Sequence, residues 1–175
     1  RNVWPILMYD TDVGVGYGAK VFLLNTLGST ESFDVTVFNG TKGKRWYRFV
    51  CSRPDFECRQ GTRYPLAVDF RADFDKDIKR SFFGIGSDAL FDDREYYTRE
   101  PFEAYLALSR GFSTTLVGVI GLRYKTVRNL KFGVDSRLRD TPPELNASRA
   151  SFASLYAVAR HDTRDSTVHP THGVL

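Results

Sequence analysis

The chain has 175 residues, 42% of them hydrophobic, and its 25 basic and 21 acidic side chains give a net charge of +4. This length and hydrophobic content exclude a disordered chain. No run approaches the roughly 20 consecutive apolar residues of a membrane-spanning helix, which excludes a helical membrane protein. The charges are mixed along the sequence without a clustered basic stripe, so we expect no nucleic acid partner.

Segments of alternating apolar and polar residues, bounded by turn residues, predict eight strands. In chain order they cover residues 3–9, 13–24, 32–39, 44–52, 64–75, 102–110, 113–126 and 151–161. Helical periodicity is not convincing in any segment. A tight turn at 109–112 contrasts with long polar links at 76–101 and 127–150, and short turns at one rim with long loops at the other are typical of membrane barrels.

The fifth segment has the clearest alternation. Its sequence is YPLAVDFRADFD, and Tyr64 begins an apolar row that continues at every second position to Phe74, opposite a charged row. A soluble sheet seldom combines so apolar a face with so charged a one over this length, whereas a barrel wall between lipid and a wet lumen needs both. The chain is therefore predicted to be all-β, an antiparallel up-and-down transmembrane β-barrel.

The same alternation assigns side chains to two environments, although the eighth segment alternates less cleanly. The predicted lipid-facing residues are Val13, Val15, Tyr17, Val21, Leu23, Leu66, Val68, Phe70, Phe102, Leu106 and Leu108. The predicted lumen-facing residues are Lys20, Asp69, Arg71, Asp73, Glu103, Arg123 and Lys125. With this parity, we expect residues 76–101 and 127–150 at the cell exterior, and the short turns with residues 162–173 at the periplasmic side.

Two cysteines lie close together in the sequence around a turn. Cys51 and Cys58 either close a small disulfide loop in an oxidising compartment or are two unrelated thiols. A metal site there is less favoured, because no histidine or further cysteine lies nearby.

Motifs for chemistry are weak. Gly14, Gly16 and Gly18 repeat every second residue inside a strand, which does not fit a dinucleotide loop and instead indicates bending or close approach of another segment. The three histidines, His161, His169 and His172, share a charged corner with acidic residues, but their spacing fits no compact ligand set. We expect no enzyme activity, no cofactor and no metal.

Three stretches together resemble the bacterial surface antigen barrel, the membrane domain of the outer-membrane barrel-assembly and two-partner-secretion superfamily. They are DVGVGYG at 12–18 with NTLG at 25–28, SFFGIGS at 81–87, and a turn formed by Asp162, Thr163, Arg164 and Asp165 with Pro170 and Gly173. The second stretch has Ser87 where the family usually has Asn. The family's Arg-Gly-Phe tripeptide is spelled by residues 110–112, but in a tight turn instead of a lumen loop.

The resemblance covers the amino-terminal half of a barrel expected to have 16 strands, so we expect residues 1–175 to be a partial barrel domain truncated at its carboxyl end. It implies a bacterial outer-membrane location and a role in outer-membrane protein assembly, polypeptide translocation or anchoring of a fused domain. The implied partners are outer-membrane lipid, unfolded outer-membrane proteins and periplasmic accessory proteins.

Two other classes of protein stay open. One is a soluble β-sandwich or small ligand-binding β-barrel, whose apolar faces point inward to a core. The other is a hydrolase that uses His161, Asp162, His169 and His172.

Overall fold

The computed structural model describes residues 1–87, 89–133, 135–138, 148–164 and 169–174. Eight strands form one antiparallel sheet whose spatial order is the chain order. The strands are β1 Asn2–Asp10, β2 Gly14–Leu24, β3 Ser32–Gly40, β4 Arg45–Arg53, β5 Tyr64–Phe82, β6 Glu95–Gly111, β7 Leu116–Leu130 and β8 Arg149–His161. A four-residue helix α1, Phe56–Arg59, and a 3-10 turn, Phe91–Asp93, lie in two of the connections.

The predicted fold class is confirmed as an all-β, up-and-down antiparallel sheet. Each strand pairs with its sequence neighbours, and no pairing of β1 with β8 occurs in the described residues, so the sheet is open. None of the helices in the described residues is long and apolar enough to cross a membrane.

The two faces of the sheet differ in burial. The buried hydrophobic residues of the described chain are only Phe38, Tyr64, Ala67, Ala107 and Leu138. By contrast, large apolar side chains such as Leu7, Ile120 and Leu155 are exposed on the opposite face, the last at 81%. No second sheet covers that face within the described ranges. The arrangement expected of a β-sandwich, with its apolar residues inside, is therefore not observed.

The fifth and sixth strands are longer than predicted. β5 continues to Phe82 and β6 begins at Glu95, so much of the predicted link at 76–101 is paired strand. Beyond Asp75 most side chains are polar, with Ile78 and Phe82 as exceptions, and the alternation that marks a strand in sequence fades there.

A β-bulge shifts one predicted side chain to the other face. Tyr64 pairs with Gly111 and Ala67 with Ser109, so β5 has one residue more than β6 in this interval. Tyr64 is therefore on the face of Ser109, where the two hydroxyl oxygens are 3.3 Å apart. Its predicted place in the row of Leu66 and Val68 is wrong.

Val13 also departs from its predicted lipid-facing row. It lies in the turn before β2, where Gly14 has a φ of +75°. The Val13 side chain occupies the space into which a Cβ at Gly40 would point, on the face that Gly40 shares with Gly16. Because the backbone is left-handed at Gly14, β2 and its alternation begin one residue later than the sequence pattern indicates.

The predicted close approach at the glycine-rich strand is confirmed. A Cβ built on Gly18 would lie 2.1 Å from the Val37 carbonyl oxygen, and one on Gly16 would lie 2.3 Å from the Phe38 ring. Only glycine therefore allows β3 to lie this close to β2.

The connections define two rims. The loop rim carries the turns 11–13 and 41–44, the link 83–94 and the connection after Leu130, and the turn rim carries residues 25–31, 54–63, 112–115 and 162–164. The prediction that all short turns lie opposite the long links is wrong for the turns after β1 and β3. Connections alternate between rims in an up-and-down sheet, whatever their length.

Candidate functional site

One face of the sheet, here called the apolar face, is continuous across the strands. Directly paired residues lie on the same face, and one such row runs from β2 to β8. It consists of Leu23, Phe33, Cys51, Phe70, Leu106, Leu122 and Leu155. Apart from Val13, the predicted lipid-facing residues all lie on this face. Contact with lipid stays a prediction.

Along a strand, the apolar face extends from one outward-facing charged residue to the next. On β6 the outward positions between Glu100 and Arg110 hold Phe102, Ala104, Leu106 and Leu108. Ten residues at about 3.3 Å each cover about 33 Å along the strand. A strand tilted by about 40° would then cross a band of about 25 Å, the height of the apolar band on outer-membrane barrels.

The opposite face, here called the polar face, carries an ion-pair network over neighbouring strands. All seven predicted lumen-facing residues lie on it, and each forms an ion pair. The pairs are Lys20 with Asp34, Arg48 and Arg71 with Asp73, Arg59 with Asp69, and Arg123 and Lys125 with Glu103. A water-filled lumen stays their predicted environment.

Two carboxylates in this network lie directly opposite each other. Asp73 of β5 pairs in register with Glu103 of β6. Like charges at such positions repel, but Arg48 Nε donates to Asp73 at 2.7 Å and Arg123 donates to Glu103 at 2.9 Å. The flanking cations therefore hold the two acidic groups side by side.

A cavity of about 710 Å³ opens on the polar face near the turn rim. Arg59 of α1 reaches into it and donates from one nitrogen to both Asp69 oxygens at 2.7 Å, while Ser52 donates to one of them at 2.7 Å. Sequence reasoning placed Asp69 correctly on this face but missed Arg59. A four-residue helix has no amphipathic period that could have revealed its partner.

Glycines next to aromatic rings shape the cavity wall. A Cβ at Gly111 would lie 2.7 Å from the Tyr64 ring, and one at Gly121 would lie 2.1 Å from the Tyr156 hydroxyl. Tyr156 stacks on Tyr105 with ring centroids 5.7 Å apart. Gly111, the centre of the Arg-Gly-Phe tripeptide, thus makes room for a neighbouring ring.

The predicted family-motif turn lies at the turn rim. Arg164 donates to both carboxylate oxygens of Asp162, at 2.9 and 2.8 Å, and this pairing lowers the pKa of Asp162 from 3.8 to about 2. Thr163 donates from its backbone to the Val174 carbonyl at 2.9 Å. Gly173, with a φ of +96°, packs against Thr163 where a side chain would not fit.

The predicted family-motif turn also includes Pro170. Its remaining residue, Asp165, lies outside the described residues. The Asp162 carboxylate is engaged by Arg164. Within the described ranges, no three His, Cys, Asp or Glu side chains are grouped so that they could hold a metal ion.

The two cysteines are free. Cys51 pairs in register with Phe33 and Phe70 on the apolar face, whereas Cys58 is exposed in α1. Strand and helix direct the two thiols to different surroundings, so the disulfide alternative is not observed.

No family model matches the chain, and no curated protein matches it. Among solved structures, the chain is similar to that of BamA from Haemophilus ducreyi lacking POTRA domains 1-3, with 15% sequence identity and a TM-score of 0.50. The likeness covers 94% of this chain and 30% of that chain, so the chain spans less than a third of the structure it matches. At this identity the likeness concerns the fold alone: the eight strands have the arrangement of part of the BamA barrel.

Proposed function

We propose that residues 1–175 form a partial outer-membrane β-barrel domain, with the apolar face against lipid and the polar face lining a water-filled lumen. The continuous apolar face is the observation that carries this proposal. Exposed residues such as Leu106 and Leu122 follow one another in register across the strands, and water is a poor solvent for a surface of this extent. The paired charges on the other face fit an aqueous lumen.

The finer role rests on the resemblance to the bacterial surface antigen barrel and on the BamA-like fold. Both favour a protein that assists the assembly or insertion of outer-membrane proteins, or translocates polypeptide, without chemistry of its own. The partners would be lipid, unfolded outer-membrane proteins and periplasmic accessory proteins. Anchoring of a fused domain is the simpler role for the same barrel.

Neighbouring residues on β4 test the orientation of the two faces. Phe49 is 38% exposed on the apolar face, and Val50 faces Asp34 on the polar face. In lipid vesicles, Phe49→Arg is expected to lower the free energy of unfolding by about 2–4 kcal/mol, the cost of a basic side chain near the middle of a bilayer. Val50→Arg is expected to cost much less, because its guanidinium would lie beside Asp34.

Reversible denaturant unfolding of the full-length protein, with its complete barrel, in phosphatidylcholine vesicles measures both variants. Equal losses at Phe49 and Val50 would contradict the proposed orientation.

A separate experiment tests the finer role. Vesicles that contain the inserted protein are expected to accelerate the folding of an added, urea-unfolded outer-membrane protein over protein-free vesicles of the same lipid. An unchanged folding rate, with the protein itself inserted, would favour the anchoring role.

A further inference from the structure

A second row of outward-facing residues borders the apolar face at the loop rim. We call it the basic row, and in register it consists of Asn39, Arg45, Lys76, Glu100, Arg128 and Arg149. The next outward row toward the middle of the sheet contains Tyr47, Phe74 and Phe102. The basic row therefore lies directly at the edge of the apolar face.

The charges of the basic row are unbalanced. It has four basic residues and one acidic residue, and Arg45 lies directly opposite Lys76, as Arg128 does opposite Arg149. Such like-charged pairs repel each other. Lys76 contacts Glu100 at 2.9 Å, but Arg45 and Arg128 are exposed and form no ion pair in the described part of the chain. Arg45 and Arg128 thus give the row a local excess of positive charge.

This pattern differs from that of the polar face, where the basic side chains of the network have carboxylate partners. Lys20, Arg48 and Arg123, for example, contact carboxylate oxygens at 2.7–2.9 Å. Arg45 and Arg128, by contrast, lie on the outward face next to the apolar side chains, with no carboxylate at ion-pair distance in the described part of the chain. An anion that complements them must itself lie at the boundary of the apolar face.

The neighbouring row of Tyr47, Phe74 and Phe102 also indicates that this edge of the apolar face lies at the height of the lipid headgroups. Tyr47 and Phe74 stack with ring centroids 5.9 Å apart, and the Tyr47 hydroxyl donates to Asn39 Oδ1 at 2.7 Å. Aromatic rings whose polar end is hydrogen-bonded are typical of the zone between acyl chains and headgroups. Long basic side chains extend from this zone toward headgroup phosphates.

We propose that the basic row binds the phosphate groups of anionic lipids in the membrane leaflet at the loop rim. This inference rests on the proposed function, because the row meets headgroups only if the apolar face meets acyl chains. Lipid phosphate is the complementary anion that a row bordering such a face would encounter at high local concentration. Binding would relieve the repulsion between Arg45 and Lys76.

The test measures partition of the full-length protein with its complete barrel into vesicles of phosphatidylcholine, with and without phosphatidylglycerol, by flotation at low ionic strength. The wild-type protein is expected to prefer the anionic vesicles. The double variant Arg45→Gln/Arg128→Gln should lose this preference by about fivefold for each charge removed, with partition into neutral vesicles unchanged.

The control Arg63→Gln/Arg99→Gln removes the same charge from outside the basic row, without breaking an ion pair of the described residues, and should retain the preference. Insertion into neutral vesicles without any anionic preference, or an equal loss in the control, would overturn the inference and leave the proposed function intact. Failure to insert into either vesicle would contradict both. Loss of the preference on addition of inorganic phosphate at constant ionic strength would assign the row to free phosphate instead of lipid.

Discussion

At the scale of single residues, Glu31 has the most constrained carboxylate at the turn rim. Its side chain is 1% exposed, and its two oxygens accept hydrogen bonds from the backbone of Leu27 and from the backbone and hydroxyl of Ser29. These bonds, with that of Leu27 first, lower the pKa of Glu31 from 4.5 to about 2 despite its burial. The carboxylate thus stabilises the turn 25–31 by accepting hydrogen bonds from Leu27 and Ser29.

The depressed pKa predicts an acid-sensitive turn. Above pH 4.5 the ionised Glu31 contributes its full stability, and this contribution is lost as the pH falls toward about 2, because the unfolded chain takes up the proton first. Across that interval the free energy of unfolding of the wild-type protein is expected to fall more steeply than that of Glu31→Gln. Denaturant unfolding at a series of pH values measures the two slopes. Parallel curves would contradict the role assigned to the carboxylate.

Sequence reasoning at this scale succeeded where the strand is regular and failed where one backbone feature interrupts it. The parity of Val68 and Phe70 follows from a period of two, but Tyr64 lies beyond a bulge and Val13 beyond a left-handed glycine. Neither feature has a composition signal strong enough to predict from one sequence. The burial of Glu31 was not predicted, because a glutamate between Thr30 and Ser32 is typical of an ordinary exposed turn.

At the scale of elements, the contact between β7 and β8 depends on a missing side chain. Gly121 pairs in register with Tyr156, whose ring lies across the glycine and stacks on Tyr105 of β6. One aromatic side chain thereby connects three strands on the polar face. The absence of a Cβ at Gly121 is a packing requirement, in contrast to an exposed glycine such as Gly28, which has nothing within 4 Å of its Cβ position.

Substitution of this glycine is predicted to displace the ring. Gly121→Ala should lower the free energy of unfolding by about 1–3 kcal/mol, the usual cost of overpacking. In a double-mutant cycle, the same change in a Tyr156→Ala background should cost clearly less, because the colliding ring is gone. Unfolding of the four proteins in the same vesicles gives the coupling energy. Additive losses of free energy would show that the Tyr156 ring is not the reason why residue 121 must be glycine.

The existence and order of all eight strands could be predicted, whereas the lengths of β5 and β6 could not. Their paired extensions at the loop rim, such as residues 76–82, are mostly polar, apart from Ile78 and Phe82. The hydrogen-bonded ladder continues there without the apolar alternation that marks a strand in sequence. Arg59 illustrates the same limit, since its partner Asp69 is fixed by the tertiary fold.

At the scale of the whole molecule, the sheet reverses the usual distribution of residues. Apolar side chains lie exposed on one face, while ion pairs and small polar residues, such as Thr36 at 2% exposure, pack on the other. In a protein surrounded by water, the apolar side chains would be buried in a core and the charged side chains would be exposed. We therefore expect the apolar face to require a solvent that is itself apolar.

Spin labels placed singly along β6 of the vesicle-inserted protein, with Cys51 and Cys58 replaced, test this requirement most directly. Labels at 104, 106 and 108 are predicted to be accessible to oxygen dissolved in lipid, and labels at 103 and 105 to a water-soluble nickel reagent, so that accessibility alternates with a period of two residues. Accessibility that does not alternate, or that alternates with the two sets of positions exchanged, would contradict the account.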